Sequence, residues 1–318
     1  MVKIELTLTK PVDNLCDFTY GFYWETKRTP PDTVIPNQLD TEYTYRDLVE
    51  SLQEGGEVHI HGDAGVRLAY SMGADIKHLG GTGGIVSDVG SITIDGNVGA
   101  EAGMGMVSGT LYVSGNITTP LGNIIEVKSD RDGYKKYRSI TDILHRGLGN
   151  DTLIGNQFKK NKLILSDGIP RGTICARLNV DATVMVEGDV YNGTGLLMKK
   201  GTVHVKGNAG MNTGAHLNGG MVIIMGSVGE FTGAYMHDGV IILSGDASYV
   251  GANMTGGSIY APKNVKPAKP AHARRLSRRD IKLLREHLEI GYMRALSYRK
   301  YEVVDEPEFV RMKDGTMV

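Results

Sequence analysis

Three consecutive stretches of this chain repeat one pattern: GDVYNGTGLLMKKGTVHVK (188–206), GNAGMNTGAHLNGGMVIIM (207–225) and GSVGEFTGAYMHDGVIILS (226–244), each 19 residues long. Gly188, Gly207, Gly226 and Gly245 lead successive units. Within each unit follow a second glycine (Gly195, Gly214, Gly233), a Met or Leu (Met198, Leu217, Met236) and a third glycine (Gly201, Gly220, Gly239). A further unit runs one residue short through Gly251, Met254 and Gly257. Earlier, Gly96, Gly103, Met106, Gly109 and Gly115 fit the same frame, and Gly62 and Met72 fit it loosely. A fixed period of this size restricts a chain to architectures in which each unit leans on the next, because one short unit cannot bury its own apolar face.

The residues ahead of each leading glycine say what the unit is. They are Val58/Ile60, Ile92/Ile94, Leu111/Val113, Val184/Val186, Val203/Val205, Val222/Ile224 and Ile241/Leu243. Alternation of aliphatic residues with a period of two marks a strand with one buried face. One strand per unit, followed by a Gly-Asn or Gly-Asp corner, predicts a mainly β, right-handed parallel β-helix. Its strands should stack about 4.8 Å apart. Val203, Val222 and Ile241 should form one inward ladder and Val205, Ile224 and Leu243 the next. Glycine permits φ > 0 at corners, which is expected at Gly195, Gly214 and Gly233. Asp189, Asn208 and Asp246 are expected to bond the local backbone there.

Three regions follow. Residues 1–55 should form an N-terminal cap with a first strand (KIELTLT), an aromatic cluster (Phe18, Tyr20, Phe22, Tyr23, Trp24) and a short helix in TYRDLVESLQEGG, capped by Thr44. Burying Phe22, Tyr23 and Trp24 in a partner is the alternative use of that cluster. Residues 56–262 should form the β-helix, interrupted by an excursion at 116–182 that contains a short helix capped by Ser139. Residues 263–318 should be a Pro/Ala/Lys linker and a basic helix, with Ser277 as N-cap and Ile281, Leu284 and Leu288 on one face. Residues 263–300 carry 12 Lys+Arg against 3 Asp+Glu. Without a nucleic-acid motif or aromatic interleaving, this patch reads as solvated or subunit-facing rather than as an RNA or DNA surface.

Composition narrows the classes. Lys+Arg 35 against Asp+Glu 36 excludes a polyanion binder acting through overall charge. Gly 43 with Pro 10 and no triplet period excludes collagen and plain disorder. Cys16 and Cys175 make no disulfide framework and no zinc or iron–sulfur set. No apolar run approaches the ~18 residues of a membrane span, so a soluble chain of a reducing, cytoplasmic compartment is expected.

Chemical motifs are sparse. GNVGAEAGMG and GTGGIV lack the strand–helix setting of a nucleotide loop, and no GK[ST] occurs. A period of 19 with variable corner residues does not match calcium-binding nonapeptides. His59 and His61 (VHIHGD) share one strand face, and His78 follows, but no third ligand is evident in the local sequence. The expectation is a solvated outer face opposite inward Val58 and Ile60, and no metal, cofactor or catalytic residue on this chain. No GxSxG elbow or activated cysteine appears.

The pattern G-[ND]-x-G-x-x-[TV]-G-x-x-[ML]-x-x-G, over Gly62–Ala261 outside the excursion, resembles the GXGXG family. That family includes the β-helical subunit of formylmethanofuran dehydrogenase and the C-terminal domain of the glutamate synthase large subunit. The resemblance implies a non-catalytic scaffold subunit of an oxidoreductase complex. Its partners would carry a molybdenum or tungsten pterin and iron–sulfur clusters, with a dinuclear-metal amidohydrolase. The alternative it implies is the β-helix subunit of a split archaeal glutamate synthase, with glutaminase and flavin partners. An autonomous binding protein is a further alternative, and a homo-oligomer is compatible with each. The excursion, the aromatic arm and the basic tail are not part of the family's motif.

Overall fold

The computed structural model describes residues 3–21, 29–86 and 88–303. Phe22, Tyr23 and Trp24 lie outside these residues. The chain is a β-solenoid of about 9 turns with spacing near 19 residues. A first sheet is built from β1 (Lys3–Leu8), β2 (Gln38–Leu39), β3 (Glu57–His61), β4 (Ser91–Asp95), β5 (Thr110–Val113), β6 (Ile124–Val127) and β7 (Lys135–Ser139), in the order β2-β1-β3-β4-β5-β7-β6. A second contains β8 (Gln157–Lys159), β9 (Lys162–Leu165), β10 (Thr183–Val186), β11 (Thr202–Val205), β12 (Asn218–Ile224) and β13 (Asp238–Leu243). Past these, β14 (Ser248–Val250) pairs with β16 (Lys266–Pro267), while β15 (Ser258–Pro262), β17 (Ala271–Arg274) and β18 (Tyr298–Val303) finish the second sheet. The helices are α1 (Tyr45–Gln53), α2 (Ile140–Arg146), α3 (Arg278–Leu288) and α4 (Tyr292–Ala295). No helix among the described residues is long and apolar enough to cross a membrane.

The expected ladders are in place. Val203 pairs with Val222, Val222 with Ile241, and Ile241 with Ile259, all parallel, with Val205, Ile224 and Leu243 in the parallel register beside them. Met198, Leu217, Met236 and Met254 form a second buried column. The interior is therefore packed with aliphatic and thioether side chains from end to end.

The leading Gly-Asn and Gly-Asp corners work differently from the expectation. Gly207, Gly226 and Gly245 are not in the left-handed region; they let stacked backbones touch. A β-carbon at Gly207 would lie 2.3 Å from Asp189 Oδ1 and 2.6 Å from Gly188 C. The corner side chains bond the next coil, not their own: Asp189 Oδ1 accepts from Asn208 N at 2.6 Å and Asn208 Oδ1 from Ser227 N at 2.9 Å. The second glycines do take φ > 0 as expected, at +73, +65 and +67 for Gly195, Gly214 and Gly233, and the third glycines Gly201, Gly220 and Gly239 are positive in φ as well.

Two segments do not match their predicted state. The 116–182 excursion does not leave the stack. Ile117 still bridges Val98, Leu121 bridges Arg171 in parallel, and only the strand wall is interrupted. There β7 pairs antiparallel with both β5 and β6, and β8 with β9. Hairpins need only a tight turn and satisfy their own edges, so they end one sheet and begin another while α2 fills the core between. Arg171, 2% exposed, seals the junction: its Nε donates to Ile124 O, and its guanidinium grips Asp167.

The 263–276 segment is not a free linker either. It contributes β16 and β17, and β17 pairs with β18, which runs antiparallel against β15 and covers the last parallel edge. At the other end β1 joins the stack in parallel with β3, and α1 buries Leu48, Val49 and Leu52 against it, as a cap should.

Candidate functional site

With the interior filled, chemistry is confined to outer surfaces, and two of them are built. The larger is a cleft of about 1010 Å³ along the wall opposite the strands. Its floor is the stacked turns of residues 173–177, 192–197, 212–216 and 231–235. One lip is the loop 77–85, and His145 at the end of α2 closes another side. The loop exists because the coil from β3 to β4 is long: Val58 pairs with Ile92 and Val203 with Val222, so 34 residues replace 19 and the extra 15 form the lip.

Side chains leave this floor from an unusual backbone. His216 and Tyr235 have φ of 53 and 54, and Asn212 and Phe231 have 57 and 61. A non-glycine residue in the left-handed region costs about 1–2 kcal/mol. At the first of these positions the fold accepts glycine, since Gly193 stands where Asn212 and Phe231 do; at the second, Leu197 and Asn253 share the left-handed backbone of His216 and Tyr235. Yet Phe231 is 39% exposed and Tyr235 48%, and Tyr249, beside the cleft, is 50% exposed. They stand in stacks along the axis: His216 on Tyr235 with ring centroids 5.0 Å apart, and Phe231 on Tyr249 at 5.8 Å. Exposed aromatics on costly backbone are a signature of a binding surface.

The cleft is also one-sided in charge. Its lining includes Lys77, Arg177, Lys199 and four histidines (His78, His145, His216, His237), with no Asp or Glu among the described lining residues. Burial pulls the His216 imidazolium below its usual range, and His237 and Arg177 pull it further. Burial likewise lowers His145, against the opposing pull of Asp142. Asn179 N donates to His145 Nε2 at 3.2 Å, so that nitrogen is the acceptor. An anion entering the cleft meets fixed cations and imidazoles that gain a proton more readily once it is present.

The second surface is on the outer face of β1, β3 and β4, where the structure places His59 and His61 as expected, above inward Val58 and Ile60. It adds partners the local sequence does not show. Glu5 Oε2 lies 2.8 Å from His61 Nε2 and 3.3 Å from His59 Nδ1. Asp95 Oδ2 lies 3.0 Å from His59 Nε2 and 2.8 Å from His61 Nδ1. Burial lowers His61, but its hydrogen bonds to Glu5 and Asp95 outweigh that and leave it raised. Burial would raise Asp95; the hydrogen bonds from Tyr134, His59 and His61 reverse this and hold it low.

The remaining sequence candidates lie away from this face. His78 sits at the cleft lip, away from His59 and His61. Cys16 and Cys175 are fully buried, and burial pushes both thiols up, away from nucleophilic use.

No family model matches the chain. Over 201 residues it is 46% identical to an uncharacterized protein of Methanothermobacter thermautotrophicus, a match that covers 63% of this chain and 64% of that protein.

Proposed function

We propose that this chain is a non-catalytic subunit of a multi-subunit redox complex, and that the cleft is the surface that engages a catalytic partner or the anionic group it carries. The observation that carries the reading is the row of exposed aromatic side chains on left-handed backbone, interleaved with cations. The solenoid does not require these residues for its own packing, and stacked rings with cationic neighbours suit a planar, negatively charged group. The filled interior supports a rigid frame rather than an enclosed reaction chamber. The glycine frame resembles that of the β-helical chain of formylmethanofuran dehydrogenase, so the proposed partners are chains bearing a molybdenum or tungsten pterin, iron–sulfur clusters and an amidohydrolase centre. The same frame supports a second reading, a split glutamate synthase with flavin and glutaminase chains.

The test is purification of the tagged chain from its native cell, with the eluate assayed for molybdenum, tungsten, iron and flavin. An Arg177→Glu/Lys199→Glu cleft variant is run in parallel. The expected result is a stoichiometric complex holding a pterin metal and iron, weakened in the variant. Flavin with glutaminase activity selects the second reading. Recovery of the chain alone makes it an autonomous binding protein and overturns both. Turnover of formate, glutamine or glutamate by the isolated chain overturns the non-catalytic role.

A further inference from the structure

The four groups around His59 and His61 pose a proton-counting problem. Each imidazole has two nitrogens, and each of the four nitrogens faces a carboxylate oxygen. Asp95 Oδ2 accepts on one side from both rings, and Tyr134 donates to the other Asp95 oxygen at 2.5 Å. In the tautomers that donate to Asp95, the N–H groups sit at His59 Nε2 and His61 Nδ1. In neutral imidazoles the near-side nitrogens, His59 Nδ1 and His61 Nε2, are then lone pairs, and both aim at the same Glu5 oxygen. Lone pairs facing a carboxylate repel it. One divalent cation placed between these two nitrogens and Glu5 Oε2 would satisfy all three at once.

The three groups have the geometry of a metal site. The ligand atoms of Glu5, His59 and His61 all lie within 4.8 Å of one another. At zinc–nitrogen and zinc–oxygen lengths, tetrahedral ligands stand about 3.3 Å apart. Glu5–His59 is already 3.3 Å, and Glu5–His61 needs to open from 2.8 Å. Glu5 is half-exposed, and its other oxygen is held by Lys3 at 2.6 Å, which leaves Oε2 for an ion. Metal-bound histidines characteristically donate their other N–H to a carboxylate that sets ring orientation. Asp95 does this for both rings at once.

We propose that Glu5, His59 and His61 form a surface site for a divalent first-row transition ion of the zinc class, with Asp95 and Tyr134 as positioning residues. Three nitrogen and oxygen ligands leave a coordination position open to solvent, and the donor set suits Zn²⁺, Co²⁺ or Ni²⁺ over Ca²⁺ or Mg²⁺. The site rests on the sheet face, not on the cleft or on the partner reading. The ligands are contributed by two coils: Glu5 and His61 are 56 residues apart.

The experiment titrates the full, chelator-treated chain with Zn²⁺ by calorimetry and with Co²⁺ by visible absorption. The expected result is one tight equivalent with the visible bands of nitrogen/oxygen-ligated Co²⁺, absent in His59→Gln/His61→Gln. Glu5→Gln should weaken binding at least 10-fold, and Asp95→Asn by 10–100-fold. Melting curves in chelator separate lost binding from lost folding, and the exposed Glu5→Gln is the variant least able to disturb the fold. Equal binding by the double histidine variant, whose cleft histidines are intact, overturns the site. So does the absence of a Co²⁺ spectrum in the wild type. Unchanged affinity in Asp95→Asn overturns the positioning role.

Discussion

At Gly214 φ is +65, and a β-carbon there would stand 2.5 Å from Ile241 Cδ1. Gly214→Val is therefore expected to destabilise the fold by about 1–3 kcal/mol of backbone strain, before the clash is added; a thermal melt equal to wild type would contradict the assignment. Phe231 is the converse case. Phe231→Gly relieves left-handed strain worth about 1–2 kcal/mol and removes a half-exposed ring, so its melting temperature should stay level or rise while cleft binding weakens. His216 sets a pH dependence. Its folded pKa is depressed, so the unfolded chain takes up the proton first, and stability is lost as pH falls below about 6.5. A bound anion favours the charged ring, so affinity for an aromatic trisulfonate dye should increase over the same fall in pH. A dye affinity that is flat between pH 7.5 and 5.5 would remove His216 from the binding surface.

At the scale of elements, the most informative contrast is between β11, TVHV, and β12 and β13, whose ends MVII and VIIL are apolar on both faces. The outward Ile223 and Ile242 are 1% and 0% exposed, because α3 and α4 lie over them with Leu284, Leu288 and Ala295. The basic helix is thus docked on the sheet by its apolar stripe, with its charged face outward. Leu284→Ala should cost about 2–5 kcal/mol if the helix unfolds with the body. The Ser277 cap, whose side chain accepts from Asp280 N, should be worth about 1 kcal/mol in Ser277→Ala. Native-state hydrogen exchange checks both: loss of protection confined to α3 would show that the helix detaches as an independent unit.

For the whole molecule, a parallel stack has open strand edges at its ends, and such edges template self-association. Here the C-terminal edge is covered by β18 and the N-terminal one is flanked by β2 and α1. A chain ending after Ala261 would bare both the β15 edge and the outer face of β12 and β13. It is expected to form concentration-dependent oligomers in sedimentation, and a monomeric, cooperatively melting product would show that the cap is not what closes the solenoid.

The sequence by itself determined the coil: which residues point inward, which glycines recur, where the caps of α1 and α3 fall. Periodicity of two within a strand and 19 between strands is a local property, written most regularly over residues 188–244. Tertiary structure alone decided the rest, because it depends on residues far apart in the chain meeting on one face. The leading glycines serve close backbone contact instead of a left-handed turn, which only the stacking distance reveals. Residues 116–182 stay in the stack through antiparallel pairing that no repeat announces. Glu5 reaches His61 across 56 residues because β1 is itself a rung of the solenoid. The cleft assembles from a 15-residue lengthening of one coil and aromatic rings contributed singly by others. Each of these is a contact between coils, and coil-to-coil register exists only once the stack has formed.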